Sequence, residues 1–137
     1  MNKLKYDSDS MKLITLFESM TGAKVKDCIA SDRIIFVMEE NEMGRAIGKK
    51  GINIKRIENK LGKRVKLVEF SSDVLQFVRN MVYPIELSGI KQENNNLVIS
   101  AKDTRTRAML IGRERQNINH LRGIVRRYFD VNEIKVM

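Results

Sequence analysis

The sequence predicts an α+β fold that occurs twice along the chain. Apolar residues at helical spacing alternate with short strand-like runs, and both halves show the same order of elements. A loop that begins with glycine lies at the same place in each half. We therefore interpret the 137 residues as two small domains, residues 1–71 and residues 72–137.

The first half opens with an amphipathic helix and two strands. Ser10 is the expected N-cap of the helix, and Gly22 ends it. Strands are predicted over residues 25–29 and 33–40, with residues 31–32 as the turn between them. The second strand is apolar on both faces, so it is expected at the centre of a sheet.

Two helices around a glycine loop and one more strand complete the first half. Asn41 is expected to cap a short helix over residues 42–47. A second helix follows the loop and ends at Gly62, and the last strand covers residues 65–70. The order is therefore helix, strand, strand, helix, glycine loop, helix, strand.

The second half repeats this order. Asp73 is expected to cap the first helix of this half. Pro84, the only proline of the chain, is expected to end that helix. Strands are predicted over residues 85–91 and 97–101, joined by a polar turn, and Asp103 caps the next helix. The closing strand is predicted over residues 131–136.

The two halves align at a single offset. Placing Gly112 under Gly48 gives 112 − 48 = 64 residues, and this offset also places Asn117 under Asn53. Strand, helix and loop patterns all fall into the same register. The sequence therefore predicts an internal repeat.

Basic charge is concentrated around the first glycine loop. The net charge of +9 and the pI near 9.8 favour a polyanionic partner, although a membrane surface would satisfy them too. The stretch from Gly44 to Lys66 contains many basic residues and only one acidic residue, Glu58. The basic residues are Arg45, Lys49, Lys50, Lys55, Arg56, Lys60, Lys63, Arg64 and Lys66.

The stretch Ile47–Ile54 reads I-G-K-K-G-I-N-I and predicts an anion site. Its two glycines let the backbone turn tightly and approach a ligand. Lys49, Lys50 and the N-terminus of the following helix add positive charge, which suits phosphate. The alternative is a plain corner between two helices with solvated lysines.

Composition limits the other function classes. No apolar run approaches the roughly 18 residues that span a bilayer, and residues 1–7 lack the apolar segment of a signal peptide, so we expect a cytoplasmic protein. Cys28 is the only cysteine and His120 the only histidine, which argues against a disulfide or a usual zinc site. We predict a buried free thiol, a surface histidine, and no metal or cofactor.

Catalysis has the least support. The segment Gly44–Lys50 has some likeness to a phosphate-binding P-loop, but only three residues separate its glycines where four are required. Lys50 also replaces the necessary Ser or Thr. We predict no catalytic residue and no small-molecule substrate.

The stretch Ile47–Ile54 resembles the I-G-x-x-G-x-x-I signature of the KH domain, an RNA-binding module. The helix and strand pair before the motif resembles the type II arrangement, and two tandem copies resemble the archaeal NusA-like transcription factors. The resemblance covers residues 10–137. It implies three-stranded sheets with helices on one face, single-stranded RNA as a partner, and a role in transcription termination or antitermination with RNA polymerase.

The resemblance implies an RNA site on the first loop. Gly48 and Gly51 would let the backbone approach RNA, and the two lysines between them would neutralise phosphates. The isoleucines at the ends of the motif would form the floor of a groove for bases. The predicted RNA-binding residues are Arg45, Ile47, Gly48, Lys49, Lys50, Gly51, Ile52, Asn53, Ile54, Lys55 and Arg56.

The second loop departs from the signature. It keeps Gly112, but Arg115 replaces the second glycine and Glu114 replaces a lysine. A carboxylate would weaken a phosphate site, whereas Arg113 and Arg115 can bind phosphate bidentately. We therefore predict Gly112, Arg113 and Arg115 as a weaker RNA contact, or a structural support.

Two further functions remain open at this point. A ribosomal or ribosome-assembly KH protein would carry the same loop, since the small-subunit protein S3 contains a similar unit. A protein adaptor that docks on RNA polymerase would use the same folds with little RNA contact, and the altered second loop is compatible with that role.

Overall fold

The computed structural model of the chain describes residues 8–30 and 33–137. These residues form two compact units, the first ending at Ser71 and the second running from Ser72 to Met137. Each unit contains one three-stranded sheet with helices. The turn predicted at residues 31–32 lies outside the described residues.

Seven elements make up the first unit, in the predicted order. They are α1 (Ser8–Thr21), β1 (Val25–Ala30), β2 (Ile34–Met38), α2 (Met43–Ile47), a 3-10 turn (Lys49–Gly51), α3 (Ile52–Leu61) and β3 (Val65–Glu69).

The second unit has the same order of elements. They are α4 (Val74–Val82), β4 (Gly89–Glu93), β5 (Asn96–Ser100), α5 (Thr104–Ile111), a 3-10 turn (Arg113–Arg115), α6 (Gln116–Val125) and β6 (Glu133–Val136).

The two sheets share one topology. In the first, β2 lies at the centre, antiparallel to β1 and parallel to β3. In the second, β5 holds the same place between β4 and β6. All five residues of β2 are buried, which confirms the central position predicted from its two apolar faces.

The core of the first unit fixes the helices on its sheet. Phe17 of α1 and Phe36 of β2 are fully buried, with ring centroids 4.3 Å apart. Ala46 of α2 and Ile57 of α3 belong to the same apolar cluster. Cys28 is buried in it too, as predicted. Burial of one residue from each helix therefore positions the loop between α2 and α3.

The second unit is built around Phe77 of α4. Its ring lies 5.6 Å from that of Tyr128, edge to face, and 5.7 Å from that of Phe129. Leu97 and Ile99 of β5 are fully buried. Tyr128 lies beyond the end of α6.

Several predicted helix ends and strand ends agree with the structure. Asp73 caps α4 by accepting a hydrogen bond from the Leu75 N–H, and Asp103 caps α5 by accepting one from the Thr106 N–H at 2.7 Å. Gly62 follows α3 in the left-handed conformation that C-terminal glycines adopt.

Two predicted helix caps are wrong. Helix α1 begins at Ser8, so Ser10 lies inside it and is buried. Asn41 does not cap α2, because Glu42 holds the cap position without a capping side-chain bond. The Asn41 N–H instead donates to the Glu69 carboxylate at 3.0 Å. The contact of Asn41 with Glu69 joins residues that are far apart in the sequence, so the spacing of residues does not encode it.

The predicted strands shift where turns are tighter than expected. Strand β4 covers Gly89–Glu93 and not residues 85–91; it extends to Glu93 because that residue pairs directly with Asn96 across a two-residue turn. Asn94 takes a left-handed conformation there, with φ 57°. Strands β2, β3 and β6 are shorter than predicted by one to three residues at one or both ends.

Membrane insertion by a helix finds no support in this structure. None of the helices formed by residues 8–30 and 33–137 combines the length and the apolar character that a bilayer crossing requires.

The cap at Asp103 should make the stability of the second unit depend on pH. Hydrogen bonds from the backbone and side chain of Thr106 hold the pKa of the Asp103 carboxyl below its ordinary value. A lowered folded pKa adds stability above the unfolded pKa of about 3.9, and this stability is lost as pH falls through the folded pKa. Asp103→Asn should therefore lower the urea midpoint at about pH 7 more than at about pH 2.

Circular dichroism during urea unfolding would measure this difference. The matched control is Asp130→Asn, since Asp130 is an exposed carboxylate of the same unit. An equal loss at every pH for Asp103→Asn would show that the charge of the cap contributes nothing.

Candidate nucleic-acid interface

The first glycine loop is a tight turn between α2 and α3. Gly48 ends α2 with φ 76° and ψ 172°, and its N–H donates to the Gly44 carbonyl at 3.0 Å. Lys50 and Gly51 then follow with φ 57° and 74°, and the Gly51 N–H donates to the Gly48 carbonyl at 3.1 Å. Three residues with positive φ, Gly48, Lys50 and Gly51, therefore lie between the two helices.

The two glycines of this loop are favoured for different reasons. A Cβ at Gly48 would lie 2.7 Å from Cγ and Nδ2 of Asn53, so a side chain there has no room. A Cβ at Gly51 would meet no atom within 4 Å, so only the positive φ favours glycine.

Asn53 connects the two helices across the loop. Its Nδ2 donates to the Arg45 carbonyl at 2.8 Å. The Arg45 carbonyl lies in the last turn of α2, where carbonyls lack a partner within the helix. Asn53 was predicted as an RNA contact, and the structure shows its amide hydrogen-bonded within the protein.

The basic side chains of the first loop are exposed to solvent. Five basic side chains are exposed: Arg45, Lys49, Lys50, Lys55 and Arg56. Arg45 lies 3.9 Å from the Glu42 carboxylate, whereas neither lysine of the loop pairs with a carboxylate of the described residues. The charge of these lysines is therefore open to solvent.

The apolar residues of the motif differ in exposure. Ile47 and Ile54 are both half-buried. Ile52 is 51% exposed at the first position of α3, next to the loop. An exposed apolar side chain beside a cationic turn suits contact with a base or a sugar.

Several acidic residues of this unit bind backbone N–H groups. The Glu58 carboxylate accepts from the Val65 N–H at 2.9 Å, and the Glu42 carboxylate accepts from the Lys24 N–H at 2.9 Å. These acids therefore tie helices to strand ends. On β3, burial and, as a smaller effect, the nearby charge of Arg33 lower the pKa of Lys66.

The second loop follows the same backbone path as the first. Gly112 has φ 76° and ψ 171°, and Glu114 and Arg115 have φ 54° and 63°. The Gly112 N–H donates to the Ala108 carbonyl at 2.8 Å, and the Arg115 N–H donates to the Gly112 carbonyl at 3.2 Å. Loss of the second glycine has not changed the turn.

The contact between glycine and asparagine is repeated as well. Asn117 Nδ2 donates to the Met109 carbonyl at 2.8 Å, and a Cβ at Gly112 would lie 2.6 Å from Asn117 Cγ. The alignment of Asn117 with Asn53 therefore has a structural cause. The sequence indicated this contact only by the asparagine that occurs at the same position of both repeats.

The altered residues of the second loop face solvent. Arg113, Glu114 and Arg115 are all exposed. Left-handed conformations at two adjacent non-glycine residues cost about 1–2 kcal/mol each. The loop keeps its shape despite this cost, and the change from the first loop is mainly one of charge. His120 is exposed, as predicted.

Known proteins with sequences similar to this chain agree with the structure of the loop. A sequence profile of the KH domain matches residues 13–74, which include the first glycine loop. "Probable transcription termination protein NusA" of Methanococcus vannielii is 39% identical, over 98% of this chain and 80% of that protein. The chain belongs to the archaeal NusA family. This confirms the resemblance to NusA-like proteins with a KH domain.

Other members of the archaeal NusA family and a solved structure agree with the assignment. The protein of the same description from Methanocaldococcus jannaschii is 31% identical, over 100% of this chain and 77% of that protein. The crystal structure of APE1850 is 28% identical with a TM-score of 0.74, over 96% of this chain and 99% of that one. The similarity to these proteins therefore extends over both units.

Alanine at the two glycines should separate their roles. Gly48→Ala meets both a clash with Asn53 and a backbone region open to glycine alone, so we expect a loss of about 3 kcal/mol or more in the free energy of unfolding. Gly51→Ala meets only an unfavourable φ and should lose about 1 kcal/mol. Urea unfolding followed by circular dichroism measures both values.

Gly44→Ala serves as the control. Gly44 lies in α2 with no atom within 4 Å of a built Cβ, so alanine should be neutral or stabilise by about 0.5–1 kcal/mol. Equal losses at Gly48 and Gly51 would contradict the role given to Asn53.

Proposed function

We propose that the chain binds single-stranded RNA through its first glycine loop and acts without catalysis in transcription termination or antitermination. The observation that carries this proposal is a KH-type turn whose two lysines are exposed and unpaired by the described carboxylates. The names of the archaeal NusA relatives support the role in termination. Such a role places the protein in the cytoplasm, with RNA polymerase or the transcription complex as a further partner.

The chemistry of the loop fits a sugar-phosphate backbone. Gly48 and Gly51 lack side chains, so the chain of the ligand can approach the turn closely. Lys49 and Lys50 neutralise phosphates, and the first N–H groups of α3 add donors at the same end. Arg45, Lys55 and Arg56 extend the cationic rim, while Ile47, Ile52 and Ile54 offer apolar contact to bases.

We further propose that residues 1–71 and residues 72–137 are tandem type II KH domains. Both units have the same order of elements, the same sheet topology and the same glycine turn. In the second domain Gly112, Arg113 and Arg115 form an auxiliary RNA contact. Arg113 and Arg115 supply charge, while Glu114 opposes it where the first loop has Lys50.

A charge reversal at the first loop tests the RNA site. Lys49→Asp with Lys50→Asp should weaken binding of short single-stranded RNA by on the order of 100-fold, since two phosphate contacts are lost and two repulsions are added. The dependence of affinity on salt should also become shallower by roughly two phosphate contacts. Fluorescence anisotropy across a salt series, with single-stranded and duplex RNA, measures both effects.

Lys60→Asp with Lys63→Asp is the matched control. Both of these lysines are exposed in the same basic stretch, and either double variant lowers the net charge from +9 to 9 − 4 = +5. The control should stay within about threefold of the native affinity. Equal losses in the two variants would mean that charge attracts RNA without a site, and a polymerase-docking adaptor would then be the better function.

Glu114 should limit binding at the second loop. Glu114→Lys, placed in the Lys49→Asp, Lys50→Asp background, should raise RNA affinity by roughly 3- to 10-fold because a repulsion becomes an attraction. Glu86→Lys, an exposed residue of the same unit with the same change of charge, is the control. No gain beyond the control would show that the second loop does not contact RNA.

A further inference from the structure

The same hydrogen bond spans both glycine loops. Asn53 Nδ2 donates to the Arg45 carbonyl and Asn117 Nδ2 donates to the Met109 carbonyl, each at 2.8 Å. Each asparagine is the second residue of the helix after the loop, and each carbonyl belongs to the helix before it. One side chain therefore ties the end of one helix to the start of the next.

The asparagine also occupies the space beside the first glycine. Built Cβ atoms at Gly48 and Gly112 would lie 2.7 Å and 2.6 Å from Cγ of the asparagine in the same loop. The glycine and the asparagine are therefore paired by shape as well as by sequence spacing. A larger residue at the first position would displace the amide from its carbonyl.

The second glycine is not what the two loops share. Gly51 has φ 74° and Arg115 has φ 63°, and the residues before them agree equally well. The backbone path is thus retained where this glycine is replaced by arginine. Both loops retain the first glycine with its asparagine, and this pair makes the same contact across each turn.

We infer that Asn53 and Asn117 are positioning residues, which hold the loops in the shape that meets the RNA backbone and act through the loop. The inference rests on the proposed RNA binding. In each loop the amide joins the two helices, so that the helix-terminal N–H groups and the basic side chains between them keep one arrangement before the ligand arrives.

The test is Asn53→Ala in the full chain, with Asn59→Ala as the matched control. Asn59 is an exposed asparagine of the same helix. Asn53→Ala should shift the amide NMR signals of Lys49–Ile52 in the RNA-free protein and weaken single-stranded RNA binding by roughly 3- to 10-fold. Its salt dependence should match the native one, because no phosphate contact is removed. Asn59→Ala should change neither quantity.

Two outcomes would overturn the inference. Unchanged loop signals with weaker RNA binding would make Asn53 a direct RNA contact, and unchanged loop signals with native binding would make its hydrogen bond irrelevant. The loop signals are measured without RNA, so this arm remains decisive if the chain proves not to bind RNA at all. Failure of the proposed function is then seen separately, as absent binding by the native chain.

A double-mutant cycle adds a second measurement. Gly48→Ala should already displace the amide, so adding Asn53→Ala to it should cost little more RNA affinity. Independent, additive losses would contradict the pairing of the two residues. If the first unit does not fold with these changes, Asn117→Ala is measured through the amide signals of Arg113–Gln116, since that loop has the same contact.

Discussion

The constraint on which the loops depend is the close contact between a glycine and an asparagine five residues later. Gly48 must lack a side chain because Cγ and Nδ2 of Asn53 lie 2.7 Å from where its Cβ would be, and Asn53 must lie that close to reach the carbonyl of Arg45. The two requirements define the angle at which α3 leaves α2. Packing in the core holds the two helices at that angle, because Ala46 of α2 and Ile57 of α3 are both fully buried in one apolar cluster. The loop is consequently the outer end of a packed helix pair.

Much of this fold follows from local sequence. The apolar run of β2 predicts its central place, and Asp73 and Asp103 predict helix starts because an N-cap is a contact between near neighbours. The cap predicted at Ser10 fails because that residue lies inside α1, and the cap at Asn41 fails where a distant contact intervenes. The Asn41 N–H is bound by Glu69, which lies 28 residues away and reaches it only in the folded sheet. The Glu42 carboxylate likewise accepts a hydrogen bond from the distant Lys24 N–H.

Some residues of the candidate site can likewise be predicted from local sequence, and others cannot. The glycines and lysines are visible in the sequence because a turn and a charge are properties of single residues. The function of Asn53 within the protein is not visible, because it depends on where α2 stops and which carbonyl is then left without a partner. The repeat at Asn117 marks the position as special but does not say whether it contacts a ligand or the chain itself. Only the two hydrogen bonds distinguish these readings.

Shape and charge are therefore specified separately in the two loops. The backbone angles of Gly112 and Gly48 agree within 1°, although Glu114 and Arg115 replace Lys50 and Gly51. The turn is maintained by a neutral amide, which leaves the residues between the helices free to vary in charge. A repeat built in this way can keep one fold while one copy gains or loses affinity for a polyanion. On that basis the difference between the two copies lies in the electrostatic potential at the turn, not in the geometry of the turn.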